Sequence, residues 1–201
     1  MISPALTLFT LLAVLGAGQA HASPVPASAP IARVEAQANA PFPTDLRLSL
    51  VGRWSGALGY RDYQSDRMFE IPVTTTIEAL PDGLTLIRRS LFDDGPDKPV
   101  WITTVSLDDR TAATATSAAF RAGRPVEPLV ETMSVRDVRD ATRWTIVYRT
   151  VGIDGEAPAE IRVTETLDGL TLMSIKEVRP VGAGDEAWAF RNQTRLTRVA
   201  E

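Results

Sequence analysis

The chain contains no cysteine, and its only histidine, His21, lies inside an N-terminal apolar segment. Without cysteine there is no disulfide, no redox dithiol and no thiolate nucleophile. If His21 is removed on export, the mature chain also lacks Ser-His-Asp catalysis, Cys/His zinc sites and histidine-ligated haem. We therefore predict no metal site, no cofactor and no catalytic residues.

The chain also lacks a large excess of either charge, and it lacks long apolar runs. The chain has 21 basic and 25 acidic residues, a net charge of −4, and the two signs are interspersed. A mildly acidic surface without a basic patch argues against nucleic acid as a partner. The longest apolar run, at residues 5–17, is interrupted only by Thr7 and Thr10. It is shorter than the roughly 20 residues needed to span a bilayer, so we predict no membrane insertion.

That apolar run is typical of a secretory signal. It is followed by Ala20-His21-Ala22, the small-x-small pattern that signal peptidase cleaves. We predict a signal peptide at residues 1–22, cleaved after Ala22, and a periplasmic or secreted protein. The absence of cysteine at the cleavage site excludes a lipid anchor.

Residues 23–43 contain five prolines and few residues able to form a core, which predicts a disordered Pro/Ala-rich linker. Residues 44–201 are predicted to form one domain. There, apolar residues recur at every second position, as in Phe69, Ile71 and Val73, which is typical of half-buried antiparallel strands. Turn pairs such as Asp82-Gly83 and Asp168-Gly169 separate the runs. The pattern predicts a short helical turn at residues 45–51 and about ten strands, at 50–65, 66–80, 84–93, 99–108, 111–121, 128–139, 142–152, 159–167, 170–180 and 187–199.

The first predicted strand opens with Gly52-Arg53-Trp54, directly after the predicted turn. A Gly-x-Trp motif at this place in an up-and-down β domain resembles the calycins, which include lipocalins, fatty-acid-binding proteins and their bacterial lipocalin-like relatives. The resemblance implies an antiparallel β-barrel in which Trp54 plugs the closed end and Arg195 or Arg198 lies across it. About ten strands is closer to the nitrobindin branch, whose haem-binding histidine the mature chain would lack. No ligand is therefore carried over.

Aromatic residues on alternating strands suggest a ligand cavity. We predict that Tyr148, with Trp144 or Trp188, lines it and that Arg88 lies near its mouth. An arginine there would bind the carboxylate or phosphate of an acidic lipid. The alternatives are that these aromatics are plain core residues and that Arg88 extends outward at the end of its strand.

Glu131 and Glu165 each fall in the middle of a predicted strand, where two carboxylates could perform acid–base chemistry, but nothing in the sequence brings them together. The leading expectation is a non-enzymatic, lipocalin-like barrel that binds a small apolar or amphipathic molecule. One alternative is an envelope structural or interaction protein with a barrel filled by side chains. The other is a cofactor-free enzyme that uses carboxylate or tyrosine chemistry.

Overall fold

The computed structural model describes residues 46–62, 67–96 and 98–200. The predicted signal peptide, its cleavage site and the predicted linker lie outside the described residues. Within these ranges, no helix is long and apolar enough to cross a membrane.

Ten antiparallel strands form a closed barrel in which each strand pairs with the next and β1 pairs with β10. The all-β, ten-stranded, up-and-down prediction is therefore confirmed, and the strand ends differ from the predicted ones by at most three residues. A 3-10 turn at Arg47–Leu50 precedes β1, and a second at Asp185–Ala187 precedes β10. The strands are β1 Gly52–Asp62, β2 Arg67–Ala79, β3 Thr85–Asp93, β4 Pro99–Asp109, β5 Thr114–Phe120, β6 Pro128–Asp140, β7 Arg143–Asp154, β8 Ala157–Asp168, β9 Thr171–Pro180 and β10 Ala189–Arg198.

The alternation in the sequence determines which side chains point into the barrel. In β2, buried Ile71, Val73 and Ile77 alternate with exposed neighbours. Hairpins connect the strands, and Gly83 and Gly169 supply the positive φ angles, 65° and 60°, at two of them. The segment Asp-Gly-Leu-Thr-Leu occurs twice, at residues 82–86 and 168–172, and each copy begins at one of these hairpin turns.

Barrel closure depends on a close approach of backbone between the first and last strands. Gly56 of β1 lies opposite Leu196 of β10. A Cβ atom at Gly56 would lie 1.9 Å from the Arg195 carbonyl oxygen. Because real Cβ atoms do not approach backbone this closely, glycine permits the β1–β10 pairing that closes the sheet.

The two ends of the barrel differ in composition. The end capped by the 3-10 turn at Arg47–Leu50, here called the closed end, is filled by apolar side chains. Its fully buried members are Leu50, Trp54, Ile77, Trp144, Ile146, Leu167 and Leu172. The opposite part of the interior, here called the open half, is built from the other halves of the same strands. Many of its inward-facing residues are only partly buried, and Ala159, Ile161 and Val178 form a second buried apolar cluster there.

Candidate ligand site inside the barrel

The closed end is fixed by Trp54, which is 1% exposed. Its indole Nε1 donates to the Leu50 carbonyl oxygen at 2.8 Å, and the Arg198 guanidinium lies 4.3 Å above the ring centroid. Arg198 also donates to the Val51 and Ser49 carbonyl oxygens. Of the two arginines named from the sequence, Arg198 lies across Trp54, whereas Arg195 is exposed. These contacts attach the 3-10 turn to the barrel.

Trp144 attaches the same turn from the opposite side. Its Nε1 donates to Ser49 Oγ and to the Ala141 carbonyl oxygen, each at 3.2 Å. Trp144 is 1% exposed and packs in the closed-end cluster. Its ring forms part of the floor of the barrel, and its role in lining a ligand cavity stays a prediction.

Because the turn is held on two sides, Arg47 is directed into the barrel. Its guanidinium pairs with the Asp108 carboxylate, and its Nη2 donates to Ser106 Oγ at 3.0 Å. Both Ser106 and Asp108 lie on the inner face of β4, in register with Ser117 and Ala115 of β5. Burial raises the pKa of Asp108, although Arg47 acts in the opposite direction. Burial also disfavours the charge on Arg47, but the surrounding acidic oxygens outweigh it and raise its pKa, so the guanidinium stays charged.

A second ion pair crosses the interior. Arg88 Nη2 lies 2.9 Å from Glu165 Oε2, and these side chains are 32% and 6% exposed. Arg88 lies in the middle of β3, two residues after buried Leu86, and not at the mouth of the barrel as predicted. The Nη2 group of Arg88 is therefore already bound to a carboxylate.

Together these groups lie directly above the apolar floor and are here called the polar layer. Its members are Arg47, Ser106, Asp108, Arg88, Glu165 and Tyr148. Tyr148 is 7% exposed, and its hydroxyl has no hydrogen-bond partner. Burial raises the pKa of Tyr148 well above its ordinary value, so the phenol is neutral at any physiological pH. The nearby charges of Arg47, Glu165, Asp108 and Arg88 all act on it.

Two further charged side chains face inward above the polar layer. Glu131 lies opposite buried Ala115, and Lys176 lies opposite Val163. Burial raises the pKa of Glu131 and lowers the pKa of Lys176, so desolvation disfavours the charged form of each. Glu165 also raises the pKa of Glu131, so the barrel brings the two glutamates into one interior. The sequence alone gave no reason to place them together.

The open half is lined by inward-facing residues that remain partly exposed. In a closed barrel, an inward-facing side chain can reach solvent only through the interior or its mouth. Partial exposure here therefore shows that solvent reaches this half of the interior. The residues concerned are both apolar and polar, among them Leu58, Phe92, Ile102, Ser117, Leu129 and Val163.

Trp188 lies elsewhere, so its predicted place in the cavity needs correcting. Its ring is sandwiched on the outer face between Arg162, 4.2 Å from the ring centroid, and Arg179, at 4.6 Å. Each arginine is also paired with a glutamate, Glu177 or Glu160. The reason is local: Trp188 precedes β10, and the register of that strand shifts between Phe190 and Asn192. If the in-and-out alternation of side chains is counted back from Leu196 without this shift, Trp188 is assigned to the inner face, which is wrong.

The structure thus brings Tyr148 and Arg88 together, places Trp144 in the barrel floor and places Trp188 on the outer face. Sequence reasoning missed Arg47 and Asp108. A signal for Arg47 existed, because it is flanked by apolar Leu46 and Leu48 in the predicted turn. Asp108 gave no such signal, because Asp108-Asp109 at the end of the fourth predicted strand is typical of an exposed turn. Among the described residues, no group of three or more acidic side chains is arranged to hold a metal ion.

No protein-family model matches the chain, and no curated protein matches it significantly. Among solved structures, the crystal structure of Rv2717c from M. tuberculosis matches with a TM-score of 0.53 and 19% identity, covering 79% of this chain and 99% of that one. The likeness shows the fold alone. A protein of unknown function from the DUF3598 family of Nostoc punctiforme gives a TM-score of 0.23 at 11% identity over 78% of this chain and 98% of that one, which is too low to support an argument.

Proposed function

We propose that this protein is an exported, non-enzymatic barrel of calycin type that binds a small, partly apolar ligand in its open half. The observation that carries the proposal is the partial exposure of inward-facing side chains there. Small-molecule sites are typically concave and mostly apolar, with a few polar groups that orient the ligand. Leu58, Phe92 and Val163 provide apolar walls, and the polar layer provides the orienting groups.

The distribution of charge supports a binding site over a barrel filled by side chains. Burying ion pairs such as Arg47–Asp108 is costly, and well-packed apolar residues often replace them without loss of stability. A core serving stability alone has no need for two such pairs and an unpartnered phenol above an apolar floor. The export part of the proposal rests on the apolar segment and the Ala20-His21-Ala22 motif.

A fluorescence titration tests the proposal. N-phenylnaphthylamine is neutral and apolar, and its emission rises in an apolar site. We expect purified protein to bind it with Kd below ~100 μM, a range corresponding to about −5.5 kcal/mol or tighter. A panel of fatty acids and isoprenoids should then displace it.

The matched variants lie on one strand. Ser117→Trp places a large side chain in the open half, whereas Thr116→Trp adds the same side chain to the exposed outer face of β5. Binding should be lost in the first and kept in the second. Absence of binding in the unmodified protein, or equal binding in both variants, would favour the filled barrel.

A second candidate, an interaction protein, is favoured by one surface feature. Trp101 and Phe120, which are 60% and 47% exposed, lie on the outer faces of the paired strands β4 and β5. Exposed aromatic side chains in one area are typical of a protein–protein contact. If this surface carries the function, Trp101→Ser should abolish a self-association measurable by sedimentation while leaving dye binding unchanged.

A further inference from the structure

The polar layer contains two buried polar atoms without a hydrogen-bond partner, Arg47 Nε and Tyr148 Oη. Buried polar groups are nearly always paired, so each such atom requires an explanation. They belong to the same polar layer, because the Arg47 guanidinium pairs with inward-facing Asp108 and Tyr148 faces inward from β7. They are not hydrogen-bonded to each other. The described chain therefore supplies a partner to neither atom.

The hydrogen-bonding capacity of the neighbouring groups is directed elsewhere. Arg47 already donates through both terminal nitrogens, to Asp108 and to Ser106. Arg88 donates to Glu165, and the Thr75 and Ser90 hydroxyl groups bond to each other at 2.9 Å. Of the two buried atoms without a partner, Arg47 Nε–H can only donate, and the Tyr148 hydroxyl can donate or accept. A hydrogen-bond acceptor would satisfy both.

The charges around the two donors decide which acceptor fits. Arg47 is balanced by Asp108, and Arg88 by Glu165. Glu131 and Lys176, the other two inward-facing charged groups described above, are of opposite sign and influence each other. A carboxylate ligand would therefore bring an additional negative charge into an interior whose charges already balance in number. A neutral oxygen accepts the same two hydrogen bonds without adding a charge.

We propose that Arg47 Nε and Tyr148 Oη bind the carbonyl oxygen of a neutral ligand, such as an ester or a ketone, whose apolar remainder extends into the open half. The inference rests on the proposed function and narrows the ligand class. It departs from the acidic lipid expected from Arg88 alone, because Glu165 occupies that guanidinium.

Displacement of bound N-phenylnaphthylamine separates the ligand classes. The competitors are methyl decanoate, a neutral ester, and decanoate, which is ionised at pH 7 and has the same acyl chain. We expect the ester to displace the dye at a concentration about tenfold lower than decanoate. Tighter binding of decanoate, or equal binding of the two, would overturn the proposal.

Two variants test the donors. Tyr148→Phe removes only the hydroxyl, and Arg47→Lys keeps the charge beside Asp108 but removes the Nε–H. Each should weaken ester binding about 3- to 10-fold, the usual loss for one hydrogen bond. Dye affinity is measured for each variant so that displacement converts to ester affinity, and a cooperative urea unfolding transition shows that each variant folds. Arg89→Lys is the control, because Arg89 lies on the outer face of the same sheet and pairs with Glu78.

The outcomes distinguish the two proposals. If the dye binds but ester affinity is the same in Tyr148→Phe and the unmodified protein, the carbonyl site is wrong and the ligand-binding function stands. If the dye does not bind at all, the proposed function fails and the carbonyl site fails with it. If Arg47→Lys does not fold, Tyr148→Phe alone decides the question.

Discussion

Replacing Tyr148 with phenylalanine should stabilise the ligand-free protein, although the residue lies in the core. The ring packs in the same buried cluster as Met133 and Ile146, and phenylalanine keeps that packing. Only the hydroxyl is lost. In the folded protein it has no partner, whereas in the unfolded chain it bonds to water.

The magnitude follows from these two states. Leaving a buried polar group unpaired costs about 1–3 kcal/mol. Removing the oxygen also leaves a cavity smaller than a methyl group, and this cavity lowers the stability of the variant by about 0.5–1 kcal/mol. The expected net effect is a rise in unfolding free energy of about 1–2 kcal/mol. For a domain of this size, such a change raises Tm by roughly 2–8 °C.

The assay is urea or thermal unfolding of protein freed of any co-purified ligand. Thr116→Val is the control, because it removes a hydroxyl from the exposed outer face of β5, so its change should stay within about 0.5 kcal/mol. A loss of stability of about 1 kcal/mol or more in Tyr148→Phe would refute the reasoning. It would mean that the hydroxyl has a partner within the folded chain.

Three further predictions concern other parts of the chain. Trp54→Ala should lower the unfolding free energy by ~3–5 kcal/mol, because it removes a large side chain from the barrel floor and the hydrogen bond to Leu50. A change below ~1 kcal/mol in denaturant unfolding would contradict a buried plug. Burial raises the pKa of Glu131 in the folded protein above its value in the unfolded chain. The stability that the protonated Glu131 contributes is therefore fully present below the unfolded pKa and is lost as pH rises through the folded pKa. Glu131→Gln should therefore gain stability relative to the unmodified protein as pH rises above about 4.3, the ordinary pKa of glutamate, and equal pH profiles in urea unfolding would argue against it. N-terminal sequencing of the exported protein should begin at Ser23, and an intact Met1 in the cytosol would exclude export.

The sequence by itself determined the architecture, because strand alternation and hairpin turns are local properties. The period of two along β2 assigns Ile71, Val73 and Ile77 to one face whatever the rest of the chain does. Glycine in an Asp-Gly turn is local in the same way. The Gly52-Arg53-Trp54 motif also singled out Trp54 before any contact was known.

Only the tertiary structure decided what the interior contains. Arg47 and Asp108 are 61 residues apart, and Arg88 and Glu165 are 77 apart, so no local pattern pairs them. Closure of the sheet around a fixed strand order places their side chains in one interior. A single register shift in β10, which alternation cannot reveal, accompanies the placement of Trp188 outside. The unpartnered Tyr148 hydroxyl is likewise a property of the assembled interior, because whether a buried group is paired depends on every strand that surrounds it.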